Sequence, residues 1–156
     1  MIQSFCARVI LVFTLFTGML PSAPAANDKL IPLTELSVET LDDMLYVMKR
    51  CAGLTILIHT KMTTGGDGGG SPYFAFYERF SEVAFNIVVI LAKQRGTTVT
   101  SNEIDWIFRD IQSFTKLYND AMNDSYIASG SHISPFIQTE TEMCVFIKQN
   151  VLDKRF

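Results

Sequence analysis

The chain has 156 residues, 48% of them hydrophobic and 19% charged, with 13 lysines and arginines against 16 acidic residues. That is enough chain, and apolar enough, to bury the core of one ordinary domain. The basic residues are scattered rather than gathered into a stripe, so nucleic acid is not an expected partner.

The first 25 residues read as a signal peptide. Arg8 and the amino terminus form a weakly basic start, and residues 9–20 (VILVFTLFTGML) are an uncharged apolar run of h-region length. A comfortable membrane crossing takes about 20 apolar residues, more than this run supplies. Pro21 breaks the run, and Ala23-Pro24-Ala25 offers the small residues that a signal peptidase reads, so cleavage is expected after Ala25 or Ala26. The chain is therefore expected to be exported, periplasmic or secreted. Losing Arg8 lowers the 13 basic residues to 12, against 16 acidic ones. No later apolar run is long enough for a second span, so no membrane span is expected after cleavage.

Cleavage also removes Cys6 and leaves Cys51 and Cys144. An even pair in an oxidising compartment reads as one disulfide. It would close a loop of roughly 90 residues, which the chain-entropy model values at about 4–5 kcal/mol.

Residues 26–36 read as a short polar leader, and residues 37–156 as a single helical domain. Thr40 with Asp43 three residues on resembles a capping box, and the acidic Asp42 and Asp43 suit a helix start. Leu41, Met44, Leu45, Met48, Cys51, Ala52, Thr55, Ile58, His59 and Met62 then recur at helical spacing, which predicts one face of a long amphipathic helix. Residues 63–70 (TTGGDGGG) stop it as a flexible linker. Ser71-Pro72 opens a second helix, with Ser as the cap, Pro at the first helical position and Gly96 as the stop. Thr100-Ser101-Asn102-Glu103 is a capping box for a third, whose stripe runs from Ile104 to Met122. Residues 123–134 read as a polar loop. Ser134-Pro135 starts the last helix, with Ile137, Met143, Cys144, Ile147 and Val151 inward.

No segment alternates with the period of a strand, so the expected fold class is all-α. In an up-down-up-down four-helix bundle the first and last helices are neighbours. Cys51 and Cys144 sit on the inward faces of those two helices, so the bundle and an interhelical disulfide imply one another.

Several chemistries are missing. There is no His-Glu-x-x-His, Glu-x-x-His, Cys-x-x-Cys-His or Gly-x-Ser-x-Gly, so no zinc protease, diiron, c-type haem or serine hydrolase pattern is present. The glycine-rich segment joins two helices and contains no lysine, so it is not a phosphate loop. Enzyme activity and a cofactor are not expected. Met44, Met48, His59 and Met62 on the first helix are soft ligands suited to Cu(I), although methionine at core spacing is the usual filler of a hydrophobic interior. Tyr73, Phe74 and Tyr77 crowd the start of the second helix beside the linker. They are the expected contacts for a protein partner, with Phe74 pointing away from the Tyr73/Tyr77/Phe80 stripe.

Lys49-Arg50-Cys51-Ala52-Gly53-Leu54, together with the late Cys144, resembles small exported helical proteins of aquatic bacteria and their phages that have no assigned activity. The functional expectation is a small exported protein-binding or structural module. The alternatives are a ligand or metal carrier using the bundle interior, and a periplasmic immunity or inhibitor protein.

Overall fold

The computed structural model describes residues 30–64 and 71–153. They form four α-helices and no strand: α1 (Leu41–Thr64), α2 (Pro72–Gln94), α3 (Ser101–Ser129) and α4 (Pro135–Ile147). A 3-10 turn (Leu33–Glu35) precedes α1, and a π-turn (Lys148–Leu152) follows α4. The predicted signal peptide and the glycines of the linker lie outside the described residues. No helix among the described residues is long and apolar enough to cross a membrane.

The helix starts follow local chemistry. Thr40 Oγ1 accepts from the Asp43 N–H at 3.1 Å, and Asp43 Oδ2 accepts from the Thr40 N–H at 2.9 Å. The Thr40 hydroxyl and then the backbone N–H groups hold the Asp43 carboxyl below its ordinary range. Ser71 accepts from Tyr73 N at 3.3 Å and Ser134 from Ile137 N at 3.2 Å, each followed by a proline that needs no N–H partner. At α3, Thr100 Oγ1 accepts from Glu103 N and Glu103 Oε2 accepts from Thr100 N at 2.8 Å, a complete capping box.

Two features differ from the sequence reading. The expected loop at residues 123–134 is half helix, because α3 continues to Ser129. Its stop is Gly130, in the left-handed region at φ 74°, whose N–H closes on the Tyr126 carbonyl at 2.8 Å. The polar residues before it are compatible with helix as long as no proline or glycine intervenes.

The second difference is α1. Residues 50–55 are buried without exception, so the middle of this helix has no solvent face and the one-sided amphipathic expectation fails there. The cause is position: α1 is the central helix, packed extensively by α2 and α3, which touch each other far less, and joined to α4 through the Cys51–Cys144 bond. Gly53 permits the closest of these approaches. A Cβ there would stand 2.8 Å from Phe114 Cβ and 2.9 Å from the Ile111 carbonyl oxygen. Thr115 Oγ1 donates to the Gly53 carbonyl at 3.2 Å across the same crossing.

The core is the interior of this assembly: Met48, Leu54 and Leu57 of α1 meet Phe80, Ala84 and Ile87 of α2, Ile107, Ile111 and Met122 of α3, and Ile137 of α4. Cys51 and Cys144 are bonded within it, their Cα atoms 5.5 Å apart, joining α1 to α4 as the sequence implied. The described part of the leader is docked rather than merely polar. Leu33 is in the core, and Leu30 and Leu36 pack partly against it.

Candidate functional site

One turn from the disulfide lies a polar centre that is fully buried. Arg50 precedes Cys51 on α1, Glu140 lies four residues before Cys144 on α4, and Tyr118 faces both from α3. Arg50 Nη2 donates to Glu140 Oε2 at 2.5 Å and Nε donates to Tyr118 Oη at 3.1 Å. The Tyr118 hydroxyl donates in turn to Glu140 Oε2. The guanidinium carbon sits 5.5 Å from the Tyr46 ring centroid and 5.8 Å from that of Tyr118, so the cation is also flanked by aromatic faces. Two contacts reach the leader: Arg50 Nη1 donates to the Ile31 carbonyl and Glu140 Oε1 accepts from the Leu33 N–H, both at 2.6 Å.

Burial works against the charge on Arg50, but Tyr118 and Glu140 outweigh it and hold the guanidinium above its ordinary range. Burial, followed by the charge of Glu140, pushes the Tyr118 hydroxyl well above the tyrosine range, so it remains a donor. Both carboxylate oxygens and three guanidinium nitrogens are committed to protein partners. The centre therefore offers neither a free base nor a nucleophile, and what it does is hold α1, α3, α4 and the leader together. A buried charge left without its partner is costly, so such a centre tolerates only the complete arrangement.

The sequence reading named Arg50 only within its short motif and passed over Glu140. The signal was available. Glu140 lies three residues after Ile137 and four before Cys144, so helical spacing puts it on the inward stripe. A carboxylate there requires a buried cation, and Arg50 beside Cys51 is the one the disulfide brings to it.

The expected partner contacts spread out. Phe74 is 41% exposed, Tyr73 and Tyr77 are half-buried, and Phe80 is fully buried. Phe74 does not stand apart from this group. Its ring lies 6.0 Å from Tyr77 and 5.2 Å from His59 of α1, while Tyr73 pairs with Phe76. The four soft ligands do not converge. Met48 and His59 are eleven residues apart on one helix, about 16 Å along its axis. Met48 is in the core, and the Met62 sulfur accepts from the Ser71 hydroxyl at 3.7 Å. No group of three or more His, Cys, Asp or Glu among the described residues is placed to hold a metal.

A surface feature that the sequence did not reveal lies between α2 and α3. Ser81, Glu82 and Phe85 of α2 line, together with Ile104, Ile107 and Phe108 of α3, a groove of about 250 Å³. Phe85 and Phe108 are 38% and 47% exposed. Spacing of seven and eleven residues puts Phe74 on the same stripe of α2 as Ser81 and Phe85, two turns before the groove begins. The Ser81 hydroxyl is buried and makes no hydrogen bond, as is His59 Nδ1 beside Phe74.

Compared with known proteins, the chain matches no family model, no curated protein and no solved structure.

Proposed function

We propose that this chain is an exported, disulfide-stapled module, its four helices running up-down-up-down, that binds another protein through the α2–α3 face and catalyses no reaction. The observation that carries the reading is the placement of Phe85 and Phe108, each more than a third exposed along the walls of one groove, with Phe74 also exposed further along α2. Aromatic side chains held on a rigid scaffold and left partly in water are typical anchors of a protein interface. The interior charges, by contrast, are committed to holding the fold. Of the aromatics expected at the start of α2, Phe74 carries the contact, since Tyr73 and Tyr77 are half-buried. An immunity or inhibitor protein is one form of the reading. The Cys51–Cys144 pair and the signal-peptide pattern of residues 1–25 support export.

The test is photocrosslinking in the native exported compartment. A benzophenone amino acid at Phe108 is expected to capture one discrete protein, and Phe74→Glu in the same chain is expected to abolish the adduct. The same probe at exposed Ile127, on the far end of α3, should capture none. Equal labelling from both positions, or capture insensitive to Phe74→Glu, would refute the assignment.

A further inference from the structure

The polar centre reads backbone as well as side chains. From the segment before α1 it takes one carbonyl, that of Ile31, and one amide N–H, that of Leu33 two residues on. Between them Pro32 holds an extended backbone (φ −51°, ψ 138°). One acceptor and one donor either side of an extended proline, at the entry to the 3-10 turn Leu33–Glu35, plus a single side-chain pocket, resemble the way receptors hold short peptides. The side-chain anchor is Leu33, 6% exposed, whereas Ile31 is 57% exposed and contributes its carbonyl. The groups that grip the segment are bonded to one another, so their positions do not rest on the segment alone. Residues 37–40, which tether the strand to α1, are exposed throughout. None of these contacts requires the strand to come from the same chain.

We propose that Arg50, Tyr118 and Glu140 form a receptor for an apolar–Pro–Leu peptide that enters a 3-10 turn at its leucine, filled in cis by residues 31–33 and able to take the same segment from a second copy. An empty receptor leaves Arg50 Nη1 and Glu140 Oε1 without their protein partners and the Leu33 side chain without its place in the core, which drives it to refill. In the wild-type chain the short tether gives the cis segment an effective concentration on the order of millimolar, so the cis form prevails in dilute solution. Exchange between copies takes over when the tether no longer reaches.

Deleting Val38 and Glu39 from the full chain removes roughly 7 Å of extended reach. The shortened chain is expected to be a dimer by native mass spectrometry. An acetylated peptide of residues 30–36 (LIPLTEL) should convert it to peptide-bound monomer. The same peptide N-methylated at the amide corresponding to Leu33, which removes the donor to Glu140, should not. Adding Leu33→Asp to the shortened chain should also abolish the dimer. A monomeric shortened chain, or a dimer that survives Leu33→Asp, overturns the proposal. The wild-type chain gives a second reading should the deletion prevent folding. Millimolar peptide is expected to strip hydrogen-exchange protection from the chain's own Leu33 amide at least tenfold, and unchanged protection overturns the proposal.

Discussion

Two stretches of helix in this molecule are held by opposite means. Residues 50–55 of α1 have no face in solvent, with other helices pressed close enough that Gly53 has no room for a methyl group. Residues 123–129 at the end of α3 stand almost wholly in solvent. Only local contacts hold them: the Gly130 cap, the Ser129 hydroxyl donating to the Ser125 carbonyl at 2.8 Å, and the Tyr126 ring stacked on His132 at 4.5 Å. Central α1 persists because its neighbours leave it nowhere else to go, and distal α3 because nothing in the sequence breaks it before Gly130. Substitutions should therefore act through packing and buried charge in the first region, and through backbone conformation in the second.

The largest effect is expected at the buried charge. Glu140→Ala leaves Arg50 fully buried with its carboxylate gone, and removing one partner of such a pair costs about 3–5 kcal/mol. Urea denaturation should show the loss as a lower midpoint, measured with the disulfide intact so that the contribution of the Cys51–Cys144 loop is unchanged. A midpoint shift worth less than about 1 kcal/mol would mean that water reaches Arg50 and that the centre is not closed. The next effect is steric. Gly53→Ala places a methyl against Phe114 Cβ and the Ile111 carbonyl, and must open the α1–α3 crossing at about 1–3 kcal/mol despite the better helix propensity of alanine.

The two stretches also differ in how well the sequence describes them. Helix starts were legible because each is written in adjacent residues, as in Thr100 to Glu103 or Ser71-Pro72. The disulfide was legible because, with Cys6 assigned to the expected signal peptide, two cysteines were left to pair. The burial of Arg50 through Thr55 was not, since a helix enclosed on all sides depends on where three other helices lie, and periodicity along one segment carries no such information. The Arg50–Tyr118–Glu140 centre was half legible. Its members sit beside the cysteines and on predicted stripes, but polar residues on an inward stripe were read past in favour of their apolar neighbours. The α2–α3 groove was out of reach, because it is lined by residues of two separate helices whose relative placement periodicity along either one does not encode.

The smallest of these effects separates the two regions most cleanly, because it is the same substitution in a different setting. Gly130→Ala meets no atom within 4 Å, so space is not the obstacle. The obstacle is φ 74°, where a Cβ crowds the following carbonyl at a cost of about 1–2 kcal/mol. Since residues 123–129 bury little, that strain should be relieved by unwinding the last turns of α3 rather than by loosening the core. The expected result is a loss of helical signal near residues 123–129 with the global urea midpoint almost unchanged. Hydrogen exchange would place the loss: Tyr126 and Ile127 amides should exchange faster, while those of Ile111 and Tyr118 keep their protection. If Gly130→Ala instead lowers the global midpoint as much as Gly53→Ala does, the end of α3 is coupled to the core. The contrast between a helix held by its neighbours and a helix held by its own cap would then fail.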